Sequence, residues 1–136
     1  MTITASGAMR PSLHLLASES DLVARLALRV EDRQPVVAAM LLEEIERAEL
    51  HAPETLPPGH VRLNSRVSFV DERSGKQREV TLVLPREADI AEERISILTP
   101  VGAALYGLAE GHRIEWPDLR GDSRPIRVVR VMPGEA

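Results

Sequence analysis

Apolar positions recur at helical spacing in two runs near the start of the chain and at strand spacing further on. Leu22, Val23, Leu26, Ala27 and Val30 share one face of a helix that opens at Ser18-Glu19-Ser20-Asp21. Ser18 is suited to cap that helix, and Asp21 lies near the positive end of its dipole. Glu31-Asp32-Arg33-Gln34 interrupts the pattern, and Pro35 suits the first position of a second helix with the stripe Val37, Met40, Leu41, Ile45 and Ala48. Glu43, Glu44, Glu46 and Glu49 occupy the other faces and read as a solvated surface, with Glu43 and Arg47 spaced for an i, i+4 pair. Two such helices joined by a short loop predict an antiparallel α-hairpin over residues 15–52, with Glu31 and Asp32 at its tip.

Pro53-Glu54-Thr55-Leu56-Pro57-Pro58-Gly59 cannot continue a helix and marks a linker. Strand spacing takes over beyond it, in a domain over residues 60–133. Ser65–Val70 alternates, Ser74-Gly75 turns the chain, and Gln77–Leu84 returns with Val80, Leu82 and Leu84 on one face. After a polar excursion over Arg86–Glu93, Ile95 begins another strand, Pro100–Leu108 a short helix, and Arg113–Trp116 and Arg124–Met132 the last strands. The fold class is therefore α+β: an α-hairpin, then an antiparallel sheet with one short helix packed on it.

A length of 136 residues suits one compact domain and a small appendage, and 43% hydrophobic content can fill its core. The absence of cysteine excludes disulfides, thiolate zinc sites and cysteine nucleophiles. The first residues, MTITASGAMR, carry neither the apolar core nor the basic start of a signal peptide, and no apolar run reaches a membrane-spanning length. A cytoplasmic protein without membrane contact is expected. Net charge is −4, and all the excess lies in residues 1–60, with five arginines against nine carboxylates. Such a balance disfavours direct binding to nucleic-acid phosphates.

Little in the chain points to catalysis. His14, His51, His60 and His112 lack the short spacing of a metal-binding helix and read as surface or loop residues; no metal or cofactor is expected. No phosphate-cradling glycine loop is present, and no serine sits in a nucleophile elbow. Arg120, Arg124, Arg127 and Arg130 read as a solvated strand face balanced by Glu115, Asp118 and Asp122. With only Phe69, Tyr106 and Trp116 as aromatics, a base-stacking surface is disfavoured.

The most specific grammar is Ile95–Leu108, ISILTPVGAALYGL, followed by Glu110-Gly111-His112-Arg113-Ile114-Glu115-Trp116. A strand runs into Thr99-Pro100-Val101-Gly102, where Thr99 can cap and Pro100 pre-sets a helical turn. This stretch, with Leu63-Asn64-Ser65-Arg66-Val67, resembles the C-terminal domain of the bacterial Gre transcript-cleavage factors. The resemblance is closest to their Rnk branch, the regulators of nucleoside diphosphate kinase, which carry a shortened arm. It implies an FKBP-like sheet domain and no enzymatic activity. It also implies RNA polymerase as partner, docked at the rim of the secondary channel through positions matching Leu98, Thr99, Pro100 and Gly102. Nucleic acid would be met only through the polymerase. In Gre factors two acidic residues at the arm's tip hold a catalytic magnesium; Glu31 and Asp32 occupy the matching place on a much shorter arm. Two alternatives stand beside this reading: a prolyl isomerase, weakened by the scarcity of aromatic rings, and a direct nucleic-acid binder. A second copy of the chain is the alternative cover for the hairpin's apolar stripe.

Overall fold

The computed structural model describes residues 13–117 and 123–133. A short strand β1 (His14–Leu16) leads directly into α1 (Ala17–Arg29), and α2 (Pro35–Arg47) runs out into β2 (Glu49–His51). Strands β3 (Arg66–Asp71) and β4 (Lys76–Val83) form the expected hairpin. Two 3-10 turns at Pro85–Glu87 and Ile90–Glu92 precede β5 (Arg94–Ser96), α3 (Pro100–Leu105), β6 (Arg113–Pro117) and β7 (Ser123–Met132). The main sheet has the order β5-β4-β3-β7-β6. Its pairs are antiparallel except β4 with β5.

Pro35 stands at the start of α2 as its fixed φ favours. Ser18 does not cap α1: β1 extends to Leu16, which takes the N-cap position, so Ser18 already lies in the first turn. The pairing of β1 with β2 is parallel and joins the two feet of the hairpin, with His14 opposite Glu49 and Leu16 opposite His51. Residues this far apart leave no local periodicity to betray their pairing.

Strand β7 contains a bulge. Ser68 of β3 faces Arg130 while Phe69 faces Val128, so Val129 has no partner and is exposed. The extra residue resets alternation. Ile126 and Val128 point into the core, and after the bulge it is Val131 that packs there.

One continuous core joins both parts of the chain. Val23, Ala27, Val37, Ala38 and Leu41 of the helices are buried with Val67, Phe69, Val80, Leu82 and Val128 of the sheet and with Leu105 and Tyr106. The hairpin's stripe is therefore covered within the chain rather than left for a second copy. Glu44, expected on the solvated face, is instead 2% exposed. Arg47 reaches it with two hydrogen bonds, at 3.1 and 3.3 Å, keeping the buried carboxylate paired.

Tyr106 is buried and its hydroxyl finds no hydrogen-bond partner; burial also drives its pKa upward. A buried hydroxyl without a partner is a desolvation cost. Tyr106→Phe is therefore expected to leave stability unchanged or raise it by about 1 kcal/mol, read as the midpoint of urea unfolding. A loss of that size would mean that the hydroxyl has a partner.

Candidate functional site

The corner between β5 and α3 is built as the sequence suggests. The Thr99 hydroxyl accepts from the Gly102 amide at 3.0 Å and donates to the Ser96 carbonyl at 2.8 Å, and Pro100 begins the helix. The four residues separate by environment. Leu98 is 8% exposed and Gly102 is buried, so both serve the core. Thr99 and Pro100 are half-buried and, with Val101, form one wall of a wide groove of about 960 Å³.

The groove's floor is apolar, with Phe69, Ile95 and Ile126 beside Pro100 and Val101. Its margins carry four arginines (Arg73, Arg78, Arg94 and Arg124) against two carboxylates, Asp71 and Glu93. The Arg78 guanidinium carbon lies 5.8 Å from the centre of the Phe69 ring, a distance at which cation and ring attract. Ile90, on the second 3-10 turn, is 86% exposed at the margin. An isoleucine so placed is held out toward solvent by its turn, in which Asp89 accepts from the Ala91 amide at 3.1 Å.

Sequence reasoning found the corner but not the groove. Its other walls come from β3, β4 and β7, which the fold brings alongside. Phe69 is the groove's lone aromatic among the described residues, far from the ring-lined pocket on which the isomerase alternative depends.

The hairpin tip is a tight turn in which the Gln34 amide donates to the Val30 carbonyl at 2.7 Å. Glu31 and Asp32 lie in this turn, both exposed. Each helix has 13 residues. At 1.5 Å rise per residue the arm is about 20 Å long.

Arg124 and Arg127 of β7 and Arg113 of β6 are drawn into ion pairs with the end of β3 and the residue that follows it. Arg124 bonds Asp71, and Arg127 and Arg113 both reach Glu72. The hydrogen bond from Arg124 lowers the Asp71 pKa, and that from Arg113 lowers the Glu72 pKa. Arg120, Asp118 and Asp122 lie outside the described residues. Pairing of this kind removes the isolated positive charge that a nucleic-acid surface would need.

The histidines correct their sequence reading. All four come together at the seam between the hairpin's feet and the sheet domain, although no short spacing links them. Ring centres of His14 and His51 are 5.1 Å apart, those of His14 and His60 4.7 Å, and those of His60 and His112 6.1 Å. His60 Nδ1 donates to the Gly107 carbonyl at 3.0 Å, while His112 Nδ1 accepts from the Ala109 amide at 3.0 Å. Burial lowers the pKa of both rings.

Comparison with known proteins agrees with this architecture. The family model described as "Transcription elongation factor, GreA/GreB, C-term" matches residues 56–133. The regulator of nucleoside diphosphate kinase of Escherichia coli K12 is 40% identical over 95 residues, which are 70% of each chain. The transcription elongation factor GreA of Acidiphilium cryptum is 37% identical over 93 residues, 68% of this chain and 59% of that protein. A solved structure of a prokaryotic transcription elongation factor GreA/GreB from Nitrosomonas europaea superposes with a TM-score of 0.70 and 37% identity, covering 90% of this chain and 99% of that one.

Proposed function

Because this chain belongs to the GreA/GreB C-terminal family and to its Rnk branch, we propose that it regulates transcription elongation by binding RNA polymerase at the rim of the secondary channel. It occupies the site that Gre cleavage factors use and competes with them. It does not stimulate transcript cleavage, and no residue of this chain is required to act as a catalyst.

The observation that carries this reading is the groove beside Thr99-Pro100-Val101. Its apolar floor, with Arg78 and Arg94 at the margins, suits an amphipathic helix with acidic flanks, the kind of element a coiled coil presents. Ile90 supports the same reading, because an apolar side chain 86% exposed at the margin gains by being covered. Nucleic acid is then met only through the polymerase, in keeping with the pairing of Arg124 and Arg127 on β7. No helix among the described residues is long and apolar enough to cross a membrane.

The test is a pull-down with core RNA polymerase. The intact protein is expected to bind at micromolar concentration. Ile90→Asp combined with Arg94→Glu, both exposed, is expected to weaken binding by about tenfold, equivalent to about 1.4 kcal/mol. Pro100→Ala should weaken it less, since it alters one wall only. Failure of the intact protein to associate, or equal retention of the double variant, would remove the groove from the mechanism.

A further inference from the structure

His14 and His51 stand at the two feet of the hairpin, one on β1 and the other on β2. Their Nδ1 and Nε2 atoms are 2.9 Å apart, and a Glu49 carboxylate oxygen lies 3.3 Å from the same His51 Nε2. The three ligand atoms lie within 4.8 Å of one another.

One tautomer of His51 suits the hydrogen bonds around it. The Thr55 hydroxyl donates to the Ala52 carbonyl at 3.3 Å, so its oxygen is left to accept from His51 Nδ1–H at 3.3 Å. With its proton on Nδ1, His51 turns the Nε2 lone pair toward His14 Nδ1 and the Glu49 carboxylate, so that with the His14 proton on Nε2 three donor atoms face one another.

We propose that His14, Glu49 and His51 form a binding site for a divalent first-row transition-metal ion, with zinc as the representative. Two imidazoles and a carboxylate are the donors such ions prefer, whereas magnesium and calcium favour all-oxygen shells. In a tetrahedral zinc site with bonds near 2.0–2.1 Å, neighbouring ligand atoms are about 3.3 Å apart. The 2.9 and 3.3 Å from His51 Nε2 to its two neighbours lie within a few tenths of an ångström of that spacing, and the third pair, His14 with Glu49, lies within 4.8 Å and closes by rotation of the exposed Glu49 side chain. Thr55 plays the outer role of orienting a ligand histidine. The Glu49 side chain is 67% exposed while that of His51 is 10% exposed, so the site opens to solvent on its carboxylate side. Three protein ligands leave a fourth position for water. A bound ion would link the entry and exit of the hairpin and hold the arm at a set angle to the sheet domain.

The experiment uses untagged full-length protein titrated with Zn²⁺ by calorimetry, and with Co²⁺ followed by visible absorption. One Zn²⁺ per chain, micromolar binding, intense tetrahedral Co²⁺ bands and a raised melting temperature are expected. His51→Ala and Glu49→Gln should each weaken binding by at least about tenfold; His112→Ala should leave it unchanged, and excess Mg²⁺ should not compete. Should His51→Ala fail to fold, the exposed Glu49→Gln carries the comparison. The proposal is overturned if no saturable Zn²⁺ binding occurs at millimolar concentration, or if binding survives both ligand substitutions.

Discussion

Gly102→Ala is expected to cost on the order of 3 kcal/mol or more, the upper range for overpacking a filled interior. A Cβ added there would stand 2.2 Å from the Ser96 carbonyl oxygen and 3.0 Å from the Thr99 hydroxyl. Neither can retreat cheaply. The Ser96 oxygen already accepts from the Thr99 amide at 3.0 Å and from the Thr99 hydroxyl at 2.8 Å, and that hydroxyl caps α3. Behind the glycine, Ala103, Ala104 and Leu105 are fully buried. Total stabilities of roughly 5–15 kcal/mol make such a loss a large fraction of the whole. Gly75→Ala is the comparator. Gly75 has a φ of 77° with nothing near its missing Cβ, so its cost is conformational only, about 1 kcal/mol. Denaturant midpoints should therefore fall much further for Gly102→Ala than for Gly75→Ala. The reverse order would mean that the corner's close approach does not constrain the fold.

The second large effect is expected in transcription. With backtracked elongation complexes and a Gre cleavage factor held well below its own dissociation constant, this protein at about ten times its dissociation constant should cut stimulated cleavage about tenfold by occupancy alone. Alone, it should leave cleavage at its unstimulated rate. The reason is length. Glu31 and Asp32 are borne by helices of 13 residues, an arm of about 20 Å. In the docking proposed above, an arm this short would stop outside the catalytic centre. Acceleration of cleavage by this protein alone would overturn the reach argument, whereas cleavage unaffected in the mixed reaction would overturn competition.

Much of the fold was legible before any coordinate. Pro35 starts α2, Thr99 caps α3, Gly75 lies in the turn between β3 and β4, and the strands alternate where β3 and β4 form. Each of these signals acts within a few residues, through fixed φ, a short hydrogen bond or side-chain period. Glu44 shows where such reasoning stops. Its helix has glutamates on several sides; tertiary packing buries this one, and Arg47 keeps its carboxylate paired there. In β7 the run Ile126–Val131 announced a strand, yet only pairing with β3 placed the bulge that leaves Val129 outside.

The amino-acid order by itself therefore determined the helices, strands β3 to β7, the capped Thr99-Pro100 corner and the family, because all of these rest on neighbours along the chain. Tertiary structure alone decided the groove, the burial of Glu44 and the meeting of the histidines. His14 and His51 are 37 residues apart and touch only because the hairpin returns its second foot beside its first. Contacts of that kind are set by how elements pack, and packing depends on the whole core at once.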